Sequence, residues 1–451
     1  MDYEVIVVGG GIGGLTTAAL LAAKGVKVCL FERQSQVGGC VANFEHQGYR
    51  FDPTAGLYSG WETGGVWEQI FSALRTMPPV VRKLSPSYVV RLQNGVDFLV
   101  VGDGEGLADE FACKFHPHGS ATSAFYQQLA RVDPTDPRNT DAVANRLAST
   151  PREFRLFIDA QLQALAQRTI AECTTAAAAN ILLTPVRRGM WAIEGGGQAL
   201  ADRLAESLKQ SGGVLRLDAP VLRLAYASDG RAIGIDLLSG ERVVATRAII
   251  SNLAIWDTYG KLIGLSRTPK AIGAELRQAR AWGAYLMFLA MDEAAGERLA
   301  ADQMLLVTGD DFADPQPLTL NVSGDAPEGK RAVTVSTLCE AEDWFSFHED
   351  ETSHETQDQQ MLERFWARLH AAMPELGDSV EIIETATPRT FYETTRRKFG
   401  MIGPASGLPA QGAQLGHTSL PNVFVVSDTA SRGFGLEGVA SSAHSLAAEF
   451  L

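Results

Sequence analysis

The chain has 451 residues, which at roughly 150 residues per domain allows two or three domains and a large buried core. A balance of 45% apolar and 20% charged residues excludes global disorder. Lys and Arg number 39 against 53 Asp and Glu, and the net charge of −14 disfavours nucleic acid as a partner and gives no general attraction to anionic lipid.

Residues 5–23 carry no charge, but five glycines between Gly9 and Gly14 divide them into a strand, a tight turn and a helix start. Val5–Val8 suits a buried parallel strand, and Leu15–Lys24 reads as a helix closed by Gly25. Val26–Phe31 reads as the next strand, which makes a βαβ unit. A second block begins near Arg188. Gly195–Gly197 precedes a helix over 199–209, and short strands follow at 214–217, 221–225, 232–237 and 242–245. Residues 247–252 read as a further, separate strand. Near the end, 423–426 reads as a strand, 427–438 as a Gly-rich loop and 439–451 as a closing helix. The stretches between hold a Pro- and Asp-rich linker at 133–137 and an amphipathic helix carrying Phe154, Phe157, Ile158, Leu162 and Leu165. That apolar face is expected in the core, with a membrane surface as the alternative.

Gly9-x-Gly11-x-x-Gly14 directly follows a strand and opens a helix. This spacing serves a tight turn, a close approach of a pyrophosphate to the backbone, and close helix–strand packing. Free N–H groups at the helix start would meet the phosphates. Eighteen residues after Gly14, Glu32 is placed to accept hydrogen bonds from a ribose and to repel a 2′-phosphate. Gly38-Gly39 follows six residues later. This extension resembles the FAD-binding proteins of the glutathione-reductase type, and turns the expectation from NAD to FAD. Asp428 and the helix start around Gly438 and Val439 are expected at the ribityl and flavin end. The expected cofactor contacts are Gly9, Gly11, Gly13, Gly14, Glu32, Arg33, Gly38, Gly39, Val221, Asp428, Gly438 and Val439.

Three blocks, with AIISNLAIWDTYGKL, ATPRTFYETTRRKFGMIGP and PNVFVVSDTASRGFGLEGVASSAHSLA as their later landmarks, resemble the phytoene desaturase, carotene cis–trans isomerase and retinol saturase flavoproteins of the amine-oxidase superfamily. Ser251-Asn252, Trp256–Tyr259 and Thr387–Thr390 are most like the isomerase and saturase side. The resemblance implies a Rossmann-like, doubly wound α/β FAD domain built from 1–75, 188–262 and 413–451. An inserted α+β substrate domain would take 76–187 and 263–412. It also implies a flavin-dependent oxidoreductase or isomerase acting on a long apolar polyene or isoprenoid, a hydrophobic small molecule. Arg389, Tyr392 and Glu437 are the expected polar groups near the flavin. Glu437 also keeps open an amine-oxidase-like enzyme with a smaller polar substrate. A flavin-free lipid escort like the GDP-dissociation inhibitors fits poorly, because the phosphate-loop glycines and Glu32 are all present.

No histidine pair has metal-ligand spacing, so no metal is expected. The five cysteines contain no C-x-x-C pair, and the N-terminus has no basic segment before its apolar run. Both suit a cytoplasmic protein, with peripheral contact to a membrane holding the substrate.

Overall fold

The computed structural model describes residues 2–450 except 103, 117, 134–139, 309–315, 346–350, 407–415 and 432. Most of the expected linker and Arg432 of the C-terminal motif lie outside these described residues.

The opening strand, Asp2–Val8, sits inside a seven-stranded sheet. It pairs in parallel with Val28–Phe31 on one side and with Arg242–Ser251 on the other. Val214–Arg216 and Val423–Val425 extend the parallel part, while Val221–Tyr226 and Ala232–Leu237 form an antiparallel edge. Alternate residues of a strand face opposite sides, and here both sides are buried. Val5 and Val7 join Leu15, Leu204 and Leu446 in one core, and Ile6 and Val8 join Leu224, Trp256 and Tyr259 in another. A strand covered on both faces needs the unbroken apolar run that Val5–Val8 provides. Helix Ile12–Ala23 packs between helices Gly196–Gln210 and Gly435–Ala448.

Several boundaries differ from the sequence reading: helices Ile12–Ala23 and Gly196–Gln210 each start three residues early, and strand Val28–Phe31 starts two residues late. Residues 242–251 form one strand, not two: its beginning pairs antiparallel with Ala232–Leu237 and the rest runs parallel to the opening strand. The change of partner breaks the alternation in sequence without breaking the ladder. The closing helix starts at Gly435, four residues before the expected Val439.

A second, eight-stranded sheet takes its strands from 88–100, 280–339, 380–386 and 402–406. Its long strand Arg280–Asp292 turns Tyr285, Met287, Leu289 and Met291 toward Phe365 and Leu369 of helix Glu351–Ala372. Ala284, Leu286 and Phe288 face Phe44, Tyr49 and Phe51, which belong to a hairpin leaving the nucleotide-type layer. The hairpin belongs to a separate three-stranded sheet, which thus packs on the eight-stranded one by apolar contact.

Helix Arg152–Ala166 buries its apolar face completely. Phe154, Phe157, Ile158 and Leu162 pack with Phe98, Phe111 and Phe115, and the Phe98 and Phe157 ring centroids lie 4.5 Å apart. The face is core, and the membrane alternative for this helix falls away. Phe157→Ala should cost about 3–5 kcal/mol, the usual cost of emptying an aromatic site in a packed core. Urea unfolding measures it. Among the described residues no helix is long and apolar enough to cross a membrane.

Candidate cofactor and active site

The glycine turn of the opening helix presents a backbone-lined slot toward Gly38-Gly39, with Asn252 and Glu32 packed where side chains at Gly11 and Gly10 would stand. Gly11 is the N-cap residue, and no side chain caps the helix or places an acid in its first turn. The first N–H groups are thus left for an external acceptor, and the positive end of the helix dipole faces the same place. Gly38 closes the slot from the other side: its N–H donates to the Gly10 carbonyl at 2.9 Å, and a bridge links it to Gly11. A Cβ on Gly39 would stand only 3.5 Å from the Gly11 α-carbon, so the two loops face each other as bare backbone. Gly14 packs on the Gly9 carbonyl oxygen, against which any Cβ would overlap. Gly13 lies against Val426 and Asn252.

Glu32 ends the second strand with one carboxylate oxygen accepting the Gly10 N–H at 2.6 Å and the other accepting the Gln34 N–H at 2.8 Å. It remains partly exposed at the slot's edge. The Ala219 N–H donates to the Glu32 carbonyl at 2.9 Å, which brings the start of strand Val221–Tyr226 beside it. Arg33 turns elsewhere: its guanidinium donates to the carbonyls of Glu393 at 3.0 Å and Thr394 at 3.2 Å.

At the far end, Gly433 and Gly435 are exposed around the buried Phe434, and the closing helix begins there without a side-chain cap. The Gly438 N–H already donates to the Phe434 carbonyl at 3.0 Å, and Val439 is buried a turn inside the helix. The free N–H groups of this helix start thus belong to its first turn, from Gly435 to Glu437, just before Gly438 and Val439. Asp428 stands nearby, but its carboxylate is engaged. Both oxygens accept from Arg397 at 2.9 Å, and one accepts the Gly403 N–H at 3.0 Å.

The structure places the three expected catalytic side chains in other company. Helix Pro388–Thr395 sets Arg389 beside Glu393 at 3.1 Å and Tyr392 edge-on to Phe345. Glu437 is paired with both terminal nitrogens of Arg188, one of them at 3.0 Å. Arg188 also meets Glu62 at 2.8 Å and the Thr184 hydroxyl at 2.9 Å. This cluster ties the closing helix to the loop after Tyr58 and to the end of helix Thr175–Arg187. Glu437 thereby anchors the closing helix through an ion pair.

Two site residues escaped sequence reasoning. Asn252 leaves the end of its strand to donate to the Val426 carbonyl, and its Oδ1 lies where a Cβ on Gly11 would come within 2.6 Å. It wedges the glycine turn against the C-terminal strand. Asp52 is fully buried, accepts the Tyr58 hydroxyl at 2.8 Å and the Thr54 N–H at 3.0 Å, and lies against Gly196. Burial pushes its carboxyl pKa upward, while these hydrogen bonds pull it back only in part. In the sequence Asn252 stood out only as the end of the 247–252 strand and as part of the Ser251-Asn252 resemblance, and Asp52 only by its nearness to the second glycine pair.

A model of NAD(P)-binding Rossmann-like domains matches residues 7–74. Over 99% of its length the chain is 25% identical to the chloroplastic prolycopene isomerase of Daucus carota, covering 80% of that protein. It is also 25% identical to the all-trans-retinol 13,14-reductase of Danio rerio, over 92% of this chain and 80% of that one. The chain is a homologue of the carotenoid isomerases, carotenoid desaturases and retinol reductases. Its fold is that of a Methanosarcina mazei oxidoreductase, with a TM-score of 0.76, 18% identity, and coverage of 98% of this chain and 99% of that one. The glycine turn and the Gly38-Gly39 pair both lie within the stretch that the Rossmann-like dinucleotide-binding model matches. Two helix starts without a side-chain cap, at Gly11 and Phe434, and the partly exposed Glu32 are the features of this layer suited to an anionic, hydroxyl-bearing ligand.

Proposed function

We propose that this chain binds FAD and acts on a long apolar polyene or isoprenoid, isomerising or saturating its double bonds. The observation that carries the reading is homology along almost the whole chain to a prolycopene isomerase and a retinol 13,14-reductase. In this reading the pieces 1–75, 188–262 and 413–451 hold the cofactor, and 76–187 with 263–412 hold the substrate.

When bound, FAD supplies hydride exchange at its ring. The residues of the chain do the rest. Gly11, Gly13 and Gly14 let the diphosphate reach the opening helix, and Gly38-Gly39 covers it from the other side. Glu32 accepts the ribose hydroxyls and excludes a 2′-phosphate. The first turn of the closing helix turns its positive end to the ring and favours the reduced, anionic form. The apolar packing on the eight-stranded sheet keeps water away from a hydrocarbon substrate. An amine-oxidase reaction loses the carboxylate that recommended it, since Glu437 is held by Arg188.

The test is a visible spectrum of the purified protein, then anaerobic incubation of its reduced form with a poly-cis carotene and mass analysis of the products. A yellow protein and a product of unchanged mass support isomerisation, and a gain of two hydrogens supports saturation. A flavin-loaded protein that converts no polyene overturns the assignment.

A further inference from the structure

Residues 388–403 form a strap across the nucleotide-type layer. Helix Pro388–Thr395 ends there, and its last carbonyls are held by that layer: Arg33 donates to those of Glu393 and Thr394, Gln34 also donates to Thr394, and Lys261 donates to that of Arg396 at 2.7 Å. Beyond it, the Lys398 N–H donates to Asp257 at 3.0 Å. The chain turns at Arg396 in the left-handed conformation (φ 57°), and the next side chain, Arg397, enters the layer.

Arg397 is 13% exposed. One terminal nitrogen makes both bonds to Asp428, and the other lies 3.4 Å from the Cys40 sulfur. Cys40 follows Gly39, the residue facing Gly11 across the slot. Nε of Arg397 is buried and has no hydrogen-bond partner. Burial by itself disfavours the charge, but the Asp428 carboxylate outweighs it and keeps the guanidinium protonated. Burial also raises the Cys40 thiol pKa, so the thiol offers the guanidinium no negative charge. A cation with one carboxylate and an unused donor therefore stands against Cys40, the residue after the Gly39 that faces the glycine turn.

We propose that Arg397 is a cofactor-positioning residue, the cation that the strap brings to the diphosphate, with Asp428 aiming it. This rests on the reading that FAD occupies the slot. Arg33, next to the expected ribose acceptor, is spent on the strap's own carbonyls. A planar, always-charged fork suits a diphosphate better than an ammonium does.

The test is binding of ADP, which carries the diphosphate but neither ribityl nor ring, to the flavin-stripped full chain, with adenosine as the uncharged comparison. Arg397→Gln should weaken ADP at least tenfold and leave adenosine unchanged, and Arg397→Lys should recover part of the loss. Asp428→Asn, which keeps the guanidinium but loosens its aim, should weaken ADP by clearly less than Arg397→Gln does, a charge-assisted bond being retained. Unchanged ADP binding by Arg397→Gln overturns the proposal. So does an equal loss in Arg397→Gln and Asp428→Asn together with a lower melting temperature in both, which would make the pair a fastener of the strap. A wild-type chain that takes up neither ADP nor FAD defeats the FAD reading itself.

Discussion

Gly14→Ala should yield a colourless protein. The added methyl would overlap the Gly9 carbonyl oxygen, and Asn252 closes in from the other side, its Cβ 3.0 Å from the new atom. Neither neighbour is the free end of a flexible side chain, so the glycine turn itself must move. Overpacking of this kind costs about 1–3 kcal/mol, and moving the turn also spoils the alignment of the helix N–H groups with the slot. We expect flavin content below about a tenth of wild type and a lower unfolding midpoint, measured by absorbance and urea titration, because backbone N–H groups act on phosphate only over hydrogen-bond distances. Gly25→Ala is the comparison. Gly25 has φ 85° and open space around it. It should lose only about 1 kcal/mol from backbone strain and keep its flavin. Equal flavin content in the two variants would contradict the role given to the slot.

Arg188→Met should destabilise the fold by about 2 kcal/mol. The arginine lies between Glu437 and Glu62, and removing it leaves two half-buried carboxylates facing one another. Breaking a fully buried pair costs 3–5 kcal/mol; these side chains keep between 15% and 31% of their exposure, which lowers the figure. Arg188→Met with Glu62→Gln and Glu437→Gln should recover most of the loss, because no charge is then stranded. Chemical unfolding of the single and triple variants checks this. A single variant as stable as wild type, or a triple variant no better than the single one, would remove Arg188 from the centre of the cluster.

The features legible in sequence are short in range. Gly9, Gly11 and Gly14, with Glu32 after a strand, lie within 24 residues and describe one turn and its neighbour. Steric rules that depend only on local backbone identify such a turn. Helix Arg152–Ala166 was readable for the same reason: apolar residues at helical spacing already state which face is buried. The errors lie at partnerships. Strand Arg242–Ser251 looked like two because its neighbours change midway. Arg389 and Arg397 are eight positions apart in one basic, polar stretch, and composition ranks neither above the other. The left-handed turn at Arg396 sends the second toward Asp428. Glu437 looked like a group for chemistry because Arg188, its partner, lies 249 residues earlier.

From residue order alone follow the class of fold, the position of the phosphate turn and the expectation of a dinucleotide, since each depends on chain stiffness, glycine sterics and periodic burial. The company that Asp52, Asn252, Glu437 and Arg397 keep emerges only when distant segments pack together. Charge pairing and hydrogen bonding act over a few ångströms of space, and separation along the chain carries almost no record of that distance.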